Sequence, residues 1–252
     1  FDRRVSVVMY NSVFNSKKFS DDNIYLPFKD SNMKVSRVGN VAKNIFEADI
    51  KSLNNTDVFI TRLDGTSYDA GVGFEIGYCL AKKVPLYIFN TDFYKNKLSS
   101  NIEYKLSPII DQVANIFKYE YINNSKLTYE NELNFNIKMF SKFVTEILDN
   151  INEKIYEYSD NDKKYDIFID FSGLKYEWNK IIVNKITKIL DKNKITYWIS
   201  TRYLSGYSVD TDLKNLKNCK IYLTCYDENE PDLDSSILQG FAYYNKLNII
   251  GY

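Results

Sequence analysis

Two carboxylates in the first third of the chain are of the residue type that acid–base and nucleophilic chemistry uses. Asp69 and Glu75 are six residues apart in the stretch DAGVGFEIGY, residues 69–78. A carboxylate beneath an anomeric carbon can stabilise positive charge there or attack it covalently, while a second carboxyl group handles the proton of the leaving group. Retaining glycosidases divide two carboxylates between these roles. A helix-capping Asp followed by a solvated Glu is the competing interpretation.

The surrounding pattern predicts the elements that position these carboxylates. The stretch that opens at Asp57 begins as a short apolar run with β-branched side chains, which indicates a buried strand, and Asp64 with Gly65 indicates a turn. Asp69 then occupies the N-cap of a predicted helix that runs to about Lys83. Strand, polar loop and helix in this order are typical of open α/β sheets, which bind ligands outside the carboxyl ends of their strands.

Glycines are concentrated in this predicted helix. Three of the nine glycines, Gly71, Gly73 and Gly77, fall within seven residues. A glycine weakens a helix by about 1 kcal/mol relative to alanine. We therefore expect the close approach of a ligand or of another backbone to require them.

The composition excludes several classes of function. The 252 residues carry 33 Lys and Arg against 33 Asp and Glu, and this zero net charge argues against a broad nucleic-acid-binding surface. Histidine is missing, which removes His-based triads and the commonest metal ligand. The three cysteines form neither a disulfide framework nor a zinc spacing, and no apolar run has the length of a membrane span. A reducing, cytoplasmic location is expected.

Strands and helices alternate in both halves, which predicts an α/β protein with mainly parallel sheets. In the first half we expect a strand at 4–10, a helix at 41–53, a strand at 84–90 and a long helix at 130–158. In the second half we expect strands at 165–171, 195–199 and 220–225, and helices at 177–192, 210–217 and 234–245. The polar stretch between them predicts two domains, residues 1–158 and 159–252.

The stretch 69–78, continued by Cys79 and by VPLYI at 84–88, resembles the nucleoside 2-deoxyribosyltransferase family. The family pattern is a strand, a polar pair such as Asp-Gly, D-x-G-x-x-x-E-x-G-Y-A, and a Pro-Val-like strand start. This chain departs from it at Cys79, where alanine is usual. The family also places a functional Asp eight residues before the Asp that opens the strand, as Asp49 precedes Asp57. The resemblance covers about residues 5–90.

This resemblance implies roles for ten residues. Glu75 would form a covalent deoxyribosyl ester, Asp69 would position or exchange the proton at the base, and Asp49 would help to hold the base. Substrate contacts would come from the first loop, the Asp-Gly turn, the helix start and a later strand, namely from Tyr10, Asn11, Phe14, Asp64, Gly65, Gly71 and Asn115. Ordinary packing of the aromatic side chains is the competing interpretation. The substrates would be a nucleoside and a free nucleobase, with no nucleic acid and no membrane, and the chemistry needs no metal or organic cofactor.

The second half repeats the order of elements of the first. Setting residues 237–242 against 73–78 places Gln239 opposite Glu75, and Asp212 falls opposite Asp49. The opening of this half, residues 165–173, also resembles Toll/interleukin-1-receptor-like domains, some of which cleave NAD with a Glu at this place in a similar fold. Without that Glu, we expect an inactive copy that replaces a dimer partner. The chain would then be a tandem pseudo-dimer of flavodoxin-like domains, alone or in a further homo-oligomer.

Three functions remain open on the sequence. The first is a 2-deoxyribosyltransferase that exchanges bases, the second is a hydrolase of nucleosides, nucleotides or NAD on the same scaffold, and the third is a non-catalytic module that senses a nucleotide. The intact carboxylates of the first half weigh against the sensing module. Exclusion of water by the first loop would decide between transfer and hydrolysis.

Overall fold

The computed structural model is an α/β structure with two mainly parallel sheets, as the sequence predicts. It describes residues 3–20, 23–27, 41–64, 68–92, 96–99, 102–123, 126–152, 154–159, 163–171, 177–202, 207–225 and 232–251. Two compact units are present: Phe1–Asp57 with Phe89–Phe93 and Phe117–Lys154, and Val58–Ile88 with Tyr94–Ile116 and Ile155–Tyr252. Each unit is assembled from separate stretches of sequence. The domain division at residues 158 and 159 stays a prediction.

Within these described ranges the chain forms eight helices and nine strands. The helices are α1 (Arg3–Asn15), α2 (Val41–Asn54), α3 (Ala70–Lys82), α4 (Ile110–Val113), α5 (Tyr129–Asp149), α6 (Glu177–Lys192), α7 (Val209–Lys217) and α8 (Leu233–Tyr244). The strands are β1 (Phe59–Arg62), β2 (Leu86–Asn90), β3 (Asn96–Ser99), β4 (Ile102–Tyr104), β5 (Asn115–Lys118), β6 (Tyr165–Phe171), β7 (Tyr197–Ile199), β8 (Cys219–Cys225) and β9 (Asn248–Gly251). Helices α2, α3 and α6 begin and end within one residue of their predicted positions.

The predicted first strand is instead helix α1, so that prediction is wrong. Val5, Met9 and Val13 recur every four residues and are buried, which is the spacing of a helix face rather than the alternation of a strand. In the same compact unit α1 packs against α5, where the hydroxyls of Ser12 and Ser141 share a hydrogen bond of 2.9 Å. This packing outweighs the strand preference of the valines.

One further prediction of local structure is wrong, and one pair of strands was not predicted. Helix α5 ends at Asp149 rather than at residue 158, because the backbone N–H of Asn150 turns back to the last carbonyls and closes the helix. The polar connection of residues 92–110 contains an antiparallel pair of strands, β3 and β4. Both features depend on local backbone bonds that the apolar spacing used for the prediction does not reveal.

The two parallel sheets differ in size. The three-stranded sheet has the order β1-β2-β5, and all five residues of its central strand β2 are buried. The four-stranded sheet has the order β7-β6-β8-β9, and each neighbouring pair is parallel. This is the flavodoxin-like order, in which ligands bind at the carboxyl ends of the strands where the order reverses. Helix α6 covers one face of this sheet, with a core of Ile167, Ile169, Phe171, Val183 and Leu190.

Helices α3 and α8 pack against each other without a layer of side chains between them. Gly77 of α3 lies against the backbone carbonyl of Ile237, and Gly240 of α8 lies against the backbone carbonyl of Phe74. The contact is reciprocal, since each glycine follows by three residues the carbonyl that the other glycine meets. Of the two reasons that the sequence offers for these glycines, the approach of another backbone is therefore the one found at Gly77.

A constant offset of 163 residues relates the two helices. Their N-caps, Asp69 and Asp232, obey it, and both accept hydrogen bonds from the first turn that follows. The turns after the helices obey it too, because Lys83 and Lys246 both have left-handed backbones with φ of 64° and 60°. The helices are equivalent in register, as an internal repeat predicts, although the duplication itself stays a prediction.

Candidate active site

Asp69 is the N-cap of α3, as the sequence predicts. Its backbone is extended, and its Oδ1 accepts hydrogen bonds from the N–H groups of Gly71 and Val72 at 2.7 and 3.3 Å. These bonds satisfy two donors that a helix start leaves unpaired, and a negative charge is favourable there. A single oxygen takes both bonds, so the cap leaves Oδ2 for other contacts. Because the side chain is exposed, a substrate can reach it.

Glu75 lies on α3 about 9 Å along the helix axis from Asp69. Its side chain is half-buried, and the segment from Ile76 to Ala81 that follows it is buried. Burial raises the pKa of the Cys79 thiol to about 12, and the nearby Glu75 carboxylate makes a smaller contribution to the same shift. A thiol in that state is not a nucleophile near neutral pH, because the thiolate is the reactive form. Of these two side chains one turn apart, Glu75 is therefore the candidate nucleophile.

Asp64 and Asn115 lie near the ends of the two outer strands of the three-stranded sheet. Asp64 follows β1 and its Oδ2 pairs with Nε of Arg62 at 3.2 Å, with only 16% and 18% of the two side chains exposed. Asn115 begins β5, as predicted, and its amide donates a hydrogen bond of 3.3 Å to the carbonyl of Leu86. Gly65 lies outside the described residues. A role of these residues in substrate binding stays a prediction.

Asp49 lies on α2, in the first of the two compact units, and is half-buried. The hydroxyl of Tyr25 donates a hydrogen bond of 2.9 Å to its Oδ1. Such a bond fixes the direction of a carboxylate and is strong when the acceptor is charged. Sequence reasoning missed Tyr25, because no periodicity connects a helix residue to a partner 24 positions earlier.

The three candidates of the predicted first loop all lie on helix α1, so the prediction of a loop there is wrong. Tyr10 and Phe14 are one helical turn apart and half-buried, whereas Asn11 is exposed. Like Asp49, they belong to the first compact unit, whereas Asp69 and the rest of α3 belong to the second. Their contact with a substrate stays a prediction.

The counterpart of Asp49 in the second half is Asp212, at the same offset of 163. Its carboxylate is buried and accepts hydrogen bonds from the hydroxyl of Ser200 at 2.6 Å and the indole of Trp198 at 2.9 Å. Burial raises the pKa of Asp212, while these two donors oppose the shift. The backbone N–H and the hydroxyl of Thr201 also donate hydrogen bonds to this carboxylate, at 3.2 and 3.5 Å.

The counterpart of Glu75 is Leu238, not Gln239. The alignment predicted from the sequence is shifted by one residue. The paired glycines and the N-caps of the two helices define the register in the structure, and similarity of the local sequence does not. Leu238 is fully buried. Leu238 has no carboxylate, and the inactivity of the second copy stays a prediction.

Comparison with models of protein families identifies a family for the first half of the chain. The model described as Nucleoside 2-deoxyribosyltransferase matches residues 8–136, just over half of the chain. The chain belongs to the nucleoside 2-deoxyribosyltransferase family. The matched range includes all ten candidate residues, the first being Tyr10 and the last Asn115. Neither the comparison with curated proteins nor the comparison with solved structures found a match.

Membership in the nucleoside 2-deoxyribosyltransferase family supports a glycosyltransferase-type enzyme that acts on small nucleosides. No helix in the described ranges combines the length and the apolar character that crossing a membrane requires. In the same ranges, no three Cys, Asp or Glu side chains are grouped as a metal site would need. Residues 137–252, which contain α8 and the four-stranded sheet, lie outside the matched range.

Proposed function

We propose that this nucleoside 2-deoxyribosyltransferase family member transfers 2-deoxyribose between nucleobases through a covalent intermediate on Glu75. The family match over residues 8–136 carries the proposal. The structure supports it by presenting Asp69 at the exposed start of α3 and Glu75 less than two turns further along.

In the first step, a carboxylate oxygen of Glu75 attacks C1′ of the bound deoxynucleoside. A C1′–O bond forms while the C1′–N bond breaks, and the bonding electrons pass to the leaving base. Protonated Asp69 gives the base its proton and becomes a carboxylate. The free base then leaves, and the sugar remains as an ester of Glu75.

In the second step, a ring nitrogen of a different base attacks the same carbon. The C1′–N bond forms, the ester bond breaks, and the electrons return to the Glu75 carboxylate. Asp69 takes the proton that the incoming nitrogen loses, so that the enzyme regains its starting state. Asp49, oriented by Tyr25, would assist at the base, and Tyr10, Asn11 and Phe14 would cover it.

Base exchange is the direct test. The protein is incubated with thymidine and adenine, and the products are separated by chromatography. We expect deoxyadenosine and thymine to form, because the ester is captured by the second base. Free deoxyribose instead would indicate the hydrolase. An unchanged nucleoside, both in this mixture and in the reverse mixture of deoxyadenosine with thymine, would contradict the proposal and favour a sensing module.

Replacement of the nucleophile tests the assignment of Glu75. Glu75→Gln and Glu75→Ala should abolish base exchange while the unfolding midpoint stays near that of the wild type. Glu146→Gln is the matched control, because Glu146 is an exposed helix glutamate outside the matched range. Exchange by Glu75→Gln at the wild-type rate would exclude the covalent step.

A further inference from the structure

Arg202 is the centre of a buried cluster in the second half of the chain. Its side chain is 0% exposed, and Nη2 contacts Oδ1 of Asp170 and donates to the hydroxyl of Ser235, both at 2.8 Å. Nη1 contacts Oδ1 of Asp232, also at 2.8 Å. The hydroxyl of Tyr222 donates to the other oxygen of Asp170 at 2.8 Å. A buried charge is costly unless it is paired in this way, so the position of the guanidinium is narrowly defined.

Two of these partners, Asp232 and Ser235, belong to the start of helix α8. Asp232 is its N-cap and accepts a hydrogen bond of 2.7 Å from the N–H of Ser235. Asp170 belongs to β6, a central strand of the four-stranded sheet. Arg202 therefore joins the first turn of α8 to the carboxyl-terminal part of β6 through two ion pairs and through hydrogen bonds to the Ser235 hydroxyl and the Phe171 carbonyl.

Helix α8 in turn meets α3 at backbone distance. A Cβ on Gly77 would lie 1.8 Å from the carbonyl oxygen of Ile237, and one on Gly73 would lie 2.8 Å from Cβ of Ser236. The carbonyl of Phe74, the residue before Glu75, lies against Gly240 in the same way. Rigid backbones in contact cannot absorb a displacement as flexible side chains can, so a shift of α8 must move α3.

We propose that Arg202 is a positioning residue for the carboxylates of α3, acting through α8. The second half of the chain then has a structural role, because it holds Asp69 and Glu75 in position. It has no carboxylate of its own at the counterpart of Glu75. The kinetic part of this inference rests on the proposed function, whereas the mechanical part does not. The competing interpretation is that the cluster stabilises only its own half.

Amide hydrogen exchange separates these interpretations without reference to activity. Arg202→Met and Arg202→Lys are compared with the wild type by mass spectrometry of peptides from α3, α5 and α8. We expect exchange in α8 and α3 to accelerate by similar factors in Arg202→Met, while α5 reports any global unfolding. Acceleration in α8 with α3 at the wild-type rate, or equal acceleration in all three helices, would overturn the proposal.

The kinetic arm measures kcat and KM for base exchange on folded protein. A misplacement of about 1 Å can cost roughly 100-fold in rate, so we expect kcat of Arg202→Met to fall by roughly tenfold or more, with a smaller change in KM. Arg202→Lys should restore part of this loss, because an ammonium group can replace only some of the contacts. An unchanged kcat in a folded Arg202→Met enzyme would contradict positioning. If the wild type does not exchange nucleobases, the proposed function fails. Amide hydrogen exchange still tests the mechanical part of the inference in that case.

Two additional variants keep the test decisive. Ser235→Ala removes the hydrogen bonds of one hydroxyl, to Arg202 and to Asp170, and no charge. It should therefore fold even if Arg202→Met does not, and it should accelerate amide hydrogen exchange in both α8 and α3 to a smaller extent. Lys220→Met is the matched control, because it breaks an exposed ion pair to Asp166 near the amino-terminal ends of β8 and β6, whereas Arg202 contacts the carboxyl-terminal part of β6. Lys220→Met should leave the amide hydrogen exchange of α3 and the kcat for base exchange at their wild-type values. An acceleration of amide exchange in α3 as large as that in Ser235→Ala would contradict the proposal.

Discussion

Leu238 of α8 occupies the position that Glu75 occupies in α3. Each lies six residues after the N-cap of its helix, and the reciprocal contact of Gly77 and Gly240 defines this equivalence. Glu75 is half-buried, whereas Leu238 is fully buried and carries no group that can attack or donate. The proposed chemistry therefore has one nucleophile position in the pair of helices.

Alanine at either of these glycines should destabilise the protein. A Cβ at Gly77 or at Gly240 would lie 1.8 or 1.9 Å from a carbonyl oxygen of the other helix, and overpacking of this kind costs about 1–3 kcal/mol or more. The free energy of unfolding, measured in urea, tests this. Gly71→Ala is the control for stability, because its Cβ would meet only the flexible Asp69 carboxylate, at 3.0 Å. A Gly77→Ala protein as stable as the wild type would show that the helices can separate at no cost.

Variants of Asp69 should separate capping from chemistry. Asp69→Asn retains a side-chain oxygen that can accept the bonds from Gly71 and Val72, so we expect nearly normal stability. Asp69→Ala removes the cap and should lower the free energy of unfolding by about 1 kcal/mol. Both variants should lose base exchange, because neither can transfer a proton at the base. Exchange by Asp69→Asn at the wild-type rate would leave capping as the only role of this residue.

The stability of the protein should fall between about pH 4 and pH 7 because of Asp234. This side chain is 5% exposed, and burial raises its pKa from 3.8 to about 7, although the nearby Arg202 opposes the shift. Between these values the folded state holds a proton that the unfolded state has lost, so stability decreases as the pH rises, by at most about 1.4 kcal/mol per pH unit, and levels off above pH 7.

Urea unfolding at several pH values tests this dependence. Asp234→Asn should make the decrease smaller, since an amide does not titrate, while Asp170 and Asp212, whose pKa values burial also raises, still contribute. Asp166→Asn is the control, because hydrogen bonds from Lys220 and Thr196 hold the pKa of Asp166 at about 2, below this window. A wild-type curve that is flat from pH 4 to pH 7 would contradict the prediction.

The hydrogen bond between Tyr25 and Asp49 should appear as an energetic coupling between the two residues. A bond from a hydroxyl to a carboxylate contributes about 1–3 kcal/mol, and a double-mutant cycle of Tyr25→Phe and Asp49→Ala measures it as the departure from additivity. Tyr129→Phe, at a hydroxyl-bearing ring that is 79% exposed, should have no measurable effect. Strict additivity of the two variants would mean that this bond does not form in solution.

Helices whose signals are local could be predicted closely. The apolar positions of α6 recur with a helical period, and the structure confirms both ends of the predicted helix at residues 177 and 192. Asp69 was placed correctly as the N-cap of α3, because capping depends on the residue type and on the first turn alone. The carboxylates Asp69 and Glu75 were found for the same reason, since both belong to one short segment.

Features that depend on distant partners could not be predicted in this way. The apolar residues near the start of the chain fit a short strand, and the packing of α1 against α5 makes the segment a helix. The cluster around Arg202 joins residues from β6, the loop after β7, β8 and α8, and no spacing along the chain connects them. Sequence reasoning did not single out Arg202 for this reason.

By itself, the sequence determined the α/β class, the elements with a clear period, the capped helix with its two carboxylates, and the family pattern that they carry. These features arise from interactions within a few turns or strands, which neighbouring residues encode directly. Only the tertiary structure decided that Gly77 of α3 admits the backbone of α8, that Leu238 is the counterpart of Glu75, and that Arg202 joins the start of α8 to β6. Each of these depends on which surfaces exclude water together, and that choice is made by the packing of the whole chain.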